Sequence, residues 1–297
     1  AMTVGMIATT GLAAYALVQR AAAQRQKVRA EAEAETAKQT TKFLVDLFRI
    51  SDPSEARGNT VTAREMLDKG AARIDAELSR QPAIQATLLD TVGTVYMGLG
   101  LYREARPLLE RAVGTRRRLL DSDPVASSDA LNHLGDVLTL QAEYAVAERS
   151  FRESIAKLRA QPKSAAQQAT LARSLHGLGM ALSNQGKLPE AEQQLRAALA
   201  MQRALFGEKN GELARTLEDL GQVVDQRGDL RAAIPLMQSS LAIQRQLHGN
   251  EPHPDLAEAI NNLAFLYEEE SNHDAAEKLF REGLAMNRVL LGEKHRE

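Results

Sequence analysis

Apolar side chains recur along this chain in one arrangement that appears five times from Leu89 onwards. A small residue anchors each copy: Gly93, Gly135, Gly179, Gly221 and Ala264, spaced by 42, 44, 42 and 43 residues. An apolar residue stands immediately before each anchor (Val92, Leu134, Leu178, Leu220, Leu263), another four before it (Leu89, Leu131, Leu175, Leu217, Ile260), and a third follows three after it (Tyr96, Leu138, Leu182, Val224, Tyr267). Offsets of −4, −1 and +3 lie on one stripe of an α-helix, so each copy predicts a helix with one buried face.

A second helix is predicted twelve residues beyond each anchor, where Ala105, Ala147, Ala191, Ala233 and Ala276 stand in register. A large apolar residue follows at +16 (Leu109, Phe151, Leu195, Met237, Phe280) and a small one at +19 (Ala112, Ser154, Ala198, Ser240, Gly283). Small residues let two antiparallel helices approach, and large ones fill the space between that pair and the next. Gly100, Gly186 and Gly228 fall where a tight turn needs positive φ, and Gly207, Gly249 and Gly292 are placed as helix C-caps. Asp121 and Asp123 in DSDP read as loop and cap residues rather than as a metal pair, because no third ligand lies nearby in sequence.

From about Leu88 to Leu291 these residues resemble the tetratricopeptide repeat, although Leu or Ile replaces the family's Trp at the start of the first helix. The spacing exceeds the ~34 residues of the plain motif. That longer form, with His253-Pro254-Asp255 leading into INNLA, is similar to the kinesin-light-chain subtype. The resemblance implies an all-α fold, a right-handed superhelical solenoid of stacked antiparallel helix pairs, with five repeats over residues 85–297 and a C-terminus cut before a sixth. Ala63, Leu67 and Gly70 imitate the second-helix pattern, so residues 43–84 form a degenerate capping repeat; its first helix surrounds Phe43, Leu44, Leu47 and Phe48 and breaks at Asp52-Pro53.

No charged residue occurs from Ala1 to Gln19, and a helix of that length approaches the ~30 Å of a bilayer core. Residues 1–19 therefore read as part of a membrane span, with a cleavable signal peptide and a buried core helix as rivals. Arg20, Arg25, Lys27 and Arg29, then Glu31, Glu33 and Glu35, continue it as a helical stalk over residues 20–42. The basic flank places its C-terminal side in the cytoplasm by the positive-inside rule. An apolar span, this stalk, FLVDLFRISDPSEARG and the repeats together resemble the region behind the catalytic domain of bacterial membrane-anchored serine/threonine kinases. That implies a single-pass anchor in the bacterial inner membrane and a kinase domain upstream of Ala1.

The whole chain has 297 residues, 37 Lys and Arg against 39 Asp and Glu, and no Cys or Trp. A net charge of −2 removes the basic field of a nucleic-acid binder, and the absence of Cys excludes thiolate chemistry. No HExxH, phosphate-binding loop, GxSxG, HRD or DFG element occurs, so no enzyme, cofactor or metal is expected. His253 and His295, in equivalent linkers, read as structural or solvated.

Function is therefore expected on the concave groove that a stacked hairpin array presents. Offsets −6, −3, +1 and +4 point away from the packed stripe. They nominate Asn132, Asp136, Arg173, His176, Met180, Arg215, Glu218, Gln222, Asn261 and Phe265. Asn132 and Asn261 are suited to pair with peptide backbone, Arg173 and Arg215 with an acidic group, and Met180 and Phe265 with apolar side chains. The expected partner is a protein or peptide, with a membrane held through the N-terminal helix. Structural self-association into a homo-oligomer, or membrane-complex assembly not linked to a kinase, is the alternative.

Overall fold

The structure, a computed structural model, describes residues 62–119, 123–160, 164–249 and 251–292 together with scattered positions between 19 and 45. Those scattered positions are helical, as expected of the stalk. The apolar stretch over residues 1–18, the Asp52-Pro53 break and most of the capping repeat's first helix lie outside the described residues. Among the described residues, no helix is long and apolar enough to cross a membrane.

Eleven helices follow from Ala63: α1 Ala63–Leu78, α2 Pro82–Gly98, α3 Tyr102–Arg118, α4 Pro124–Leu140, α5 Tyr144–Arg159, α6 Ala165–Ser183, α7 Leu188–Phe206, α8 Gly211–Gln226, α9 Leu230–His248, α10 Pro254–Glu269 and α11 His273–Leu291. Their starts are chemically marked. Thr62 with Glu65 and Ser164 with Gln167 form capping boxes, Asp123 and Asn210 accept from backbone amides, and Pro82, Pro124 and Pro254 occupy the first helical turn. The cap reading of Asp123 thus holds, its Oδ1 accepting from the Ala126 amide at 3.0 Å.

Helices pair as the pattern requires, α2 with α3, α4 with α5, and so on to α10 with α11. The cause is visible at each anchor. A Cβ built on Gly93, Gly135, Gly179 or Gly221 would meet Leu109, Phe151, Leu195 or Met237 at 2.7, 2.5, 2.7 and 3.0 Å, so each glycine admits the large side chain of its own second helix. The five alanines at +12 are wholly buried beneath that contact. Phe151 is clasped from both sides, since a Cβ on Gly177 in the next repeat would lie 2.3 Å from its ring.

Each hairpin closes in the same way. The amides of Leu101, Glu143, Lys187, Asp229 and Asn272 donate to the carbonyls of Tyr96, Leu138, Leu182, Val224 and Tyr267 at 2.8–3.1 Å, the long bond of a Schellman turn. The residue before each donor takes positive φ: 73° at Gly100, 73° at Gly186 and 85° at Gly228, but also 60° at Ala142 and 65° at Ser271.

Successive hairpins stack in chain order, each second helix against the first helix of the next repeat. First helices also touch each other (α2 with α4, α4 with α6, α6 with α8), whereas second helices of successive repeats come less close, so the first helices line the inner side of the curve. Helix α1 packs on α2 as a second helix would, with Leu67, Gly70 and Ile74 buried and Tyr96 Oη donating to Asp68 at 2.5 Å. Gln141 and Gln185 strap neighbours together, their side-chain amides donating to the carbonyls of Tyr102 and Tyr144 in the preceding repeat.

Two outcomes follow for stability. Ala142→Gly and Ser271→Gly each relieve a left-handed residue and raise the free energy of unfolding by about 1 kcal/mol apiece, seen as a higher urea midpoint. Gly135→Ala overpacks the Phe151 ring and lowers stability by roughly 1–3 kcal/mol, although Ala is the better helix former.

Candidate functional site

The inner face is built from α2, α4, α6, α8 and α10, and its side chains meet across repeats in a fixed register. Position +1 of one repeat faces −6 of the next: Asp136 accepts from Arg173 Nη2 at 2.9 Å. Position −3 faces −2: Asp90 lies 2.9 Å from His133 Nδ1, and His176 Nε2 lies 2.6 Å from Asp219. Arg173 Nη1 also reaches His133 Nε2 at 3.1 Å, so Asp90, His133, Arg173 and Asp136 form one chain across three repeats.

Charge in this first half is closed on itself. Arg116 donates to Thr87 Oγ1 at 2.7 Å; burial lowers its pKa, while Asp123, Asp90 and Asp129 hold its charge. Burial raises the Asp129 carboxyl, against the opposing pull of Thr170, His133 and Arg173.

The expected groove residues divide into three groups. Asn132 and Glu218 are corrections: both are buried and turned from the open face. In these repeats the −3 side chain leans toward the small +19 residue of its own second helix, which leaves room for it, whereas Asp90 and His176 at the same offset reach across to the next repeat. Glu218 accepts from Ser240 Oγ at 2.6 Å. Asn132 accepts from Ser174 Oγ at 2.8 Å, within a buried polar cluster that includes Ser154. Asn261 behaves similarly, half-buried with its Oδ1 where a Cβ on Gly283 would lie 2.4 Å away.

Asp136, Arg173 and His176 do face inward, but toward one another's repeats. Arg173 is thus not a free cation awaiting an acidic group. Arg215, Gln222 and Phe265 remain open, while Met180 is half-buried against the core. By the +1 to −6 register, Arg215 falls opposite Met180 rather than an acid, and it is exposed with no ion-pair partner among the described residues. Phe265 is 63% exposed and rests edge-on against Phe280, ring centroids 5.1 Å apart. His133 and Asp219 were absent from the expectation because −2 was not counted as a facing offset; the visible signal was the complementary pairing of Asp90 with His133 and of His176 with Asp219.

Three segments, residues 84–160, 170–246 and 256–297, match the family described as tetratricopeptide repeat. The chain belongs to the tetratricopeptide-repeat family. Solved structures share its fold. BtubC (BKLC) from P. vanneervenii is 19% identical with a TM-score of 0.66, covering 78% of this chain and 94% of that one. A putative kinesin light chain from Podosopora anserina is 19% identical with a TM-score of 0.59, covering 71% and 97%. RapI in its apo form is 11% identical with a TM-score of 0.59, covering 84% and 76%. No curated protein matches the sequence.

Within this tetratricopeptide array, Glu218 is the one expected site residue whose ionisation the surroundings clearly displace. Burial first, then the nearby Glu258, Asp219 and Asp255, push its carboxyl up to about 7 from an ordinary 4.5, over the opposing bond from Ser240. A raised carboxyl binds its proton more tightly folded than unfolded. Stability is therefore greatest below the unfolded value and declines as pH rises from about 4.5 to about 7, at about 1.4 kcal/mol per pH unit at most. Glu218→Gln removes this decline: its urea midpoint matches the parent's near pH 4.5 and exceeds it at pH 8.

Proposed function

We propose that the array is a non-catalytic scaffold that takes a protein or peptide segment along its inner face over the third to fifth repeats. Tetratricopeptide folds generally mediate protein–protein interaction, and no catalytic family is indicated. The observation that carries the placement is the division of the two nominated arginines. Arg173 is already engaged by Asp136 and His133, while Arg215 lies open beside Met180, with Gln222 and Phe265 on the following positions. An extended segment bearing a carboxylate and an apolar side chain would find a cation and an aromatic edge there that the fold leaves unused.

In the same reading, the array is the recruitment region of a membrane-anchored bacterial serine/threonine kinase, held at the inner membrane by residues 1–19. Its support is the order along the chain: an apolar stretch, a basic then acidic stalk, and the capping repeat. A coding sequence with no kinase domain upstream of Ala1 would remove the kinase and leave the groove unaffected.

The groove is tested by a pull-down from the native proteome with the repeat region, followed by affinity measurement on the captured partner. Arg215→Glu weakens binding by about tenfold or more, the equivalent of one charge-assisted bond, with unchanged helicity by circular dichroism. Arg173→Glu changes it far less. The reverse order would move the site to the first half of the face.

A further inference from the structure

Between the fourth and fifth repeats the chain brings three metal-binding side chains to one place. His248 is the last residue of α9, Gly249 turns the chain back with φ 62°, His253 is the N-cap of α10, and Asp255 stands in its first turn. The imidazoles of His248 and His253 stack at 3.6 Å with an interplanar angle of 13°. One ligand atom from each of the three lies within 4.8 Å of the others, and all three residues are half-buried.

We infer that His248, His253 and Asp255 form a site for a divalent transition-metal ion such as Zn2+, which would fasten the joint between these repeats. His253 Nδ1 and Asp255 Oδ2 are 3.9 Å apart. Two bonds of about 2.0–2.2 Å, the usual zinc distances to nitrogen and oxygen, span that gap. His253 Nδ1 already accepts from the Asp255 amide at 3.2 Å, so its lone pair is aimed at the first turn of α10. Coordination exchanges that one bond for a stronger one. The ring nitrogen of His248 lies within 4.8 Å of the other two ligand atoms, so binding requires its side chain to rotate out of the parallel stack and close on the ion. Two imidazoles and a carboxylate suit zinc, nickel, cobalt or copper rather than calcium or magnesium, and the solvent side leaves room for water as further ligands.

The test uses the untagged chain, stripped with EDTA and titrated with Zn2+ by calorimetry at pH 7.5. The expected result is a single site, with thermal stability rising as free Zn2+ rises. His248→Ala, which removes no cap, weakens Zn2+ binding by at least about tenfold and leaves the metal-free melting temperature close to the parent's. Asp255→Asn weakens it comparably. His273→Ala, at an exposed His paired with Glu268, leaves binding unchanged. No saturable binding in the parent, or binding that survives His248→Ala combined with Asp255→Asn, would overturn the site.

Discussion

Everything in this molecule depends on how closely two helices can come together where a glycine meets a large apolar side chain. At Gly93, Gly135, Gly179 and Gly221 the missing Cβ is the space that Leu109, Phe151, Leu195 or Met237 occupies. This contact fixes each hairpin, and through it the height and tilt at which the next hairpin stacks. Because every strong packing contact joins helices adjacent in the chain or one repeat apart, stability accumulates by repeat and interface rather than around one central core. The fifth repeat carries Ala264 at the anchor; its large residue, Phe280, is only half-buried and leans on Phe265.

The same spacing dictates which polar groups can serve a partner. A small residue at +19 leaves a hollow under the first helix, and the −3 side chain fills it, as Glu218 over Ser240 and Asn261 over Gly283 show. Offset −3 is therefore structural in these repeats, whereas Asp90 and His176, with Ala112 and Ala198 at +19, pair across the interface with His133 and Asp219. The +1 and −6 positions then become the true inner surface, and their identities across each interface decide whether charge is spent within the fold or left to solvent.

Sequence alone carried the hairpins, the buried stripe, the glycine turns and the family, because each rests on residue types at offsets within one helix pair. Ala142 and Ser271 were not legible as left-handed residues, since neither announces positive φ as glycine does; only their place opposite Gly100, Gly186 and Gly228 in the repeat reveals them. The burial of Asn132 and Glu218 was hidden for a different reason. A helical wheel places −3 on the open side of an isolated helix, and only the neighbouring helix at +19 shows that the side chain turns under. His133 and Asp219 required the register between repeats, which a pattern within one repeat does not contain. His253 was expected to be structural, and it does cap α10, but its stacking on His248 depends on the path of the linker.

The division of the inner face has a thermodynamic reading that does not depend on strong ion pairs. An exposed pair such as Arg173 with Asp136 is worth roughly 0–1 kcal/mol, so it does not bar a competing carboxylate by its own strength. What it removes is the gain. An incoming carboxylate at Arg173 exchanges one pairing for an equivalent one, frees Asp136 to repel the newcomer, and disturbs the His133 bond as well. At Arg215 no such exchange would be needed, because its counterpart by the repeat register is the half-buried Met180, and a carboxylate there would create a pairing where none exists among the described residues. Equal side chains at equal offsets thus differ in what they can offer, and the residue one repeat away determines it.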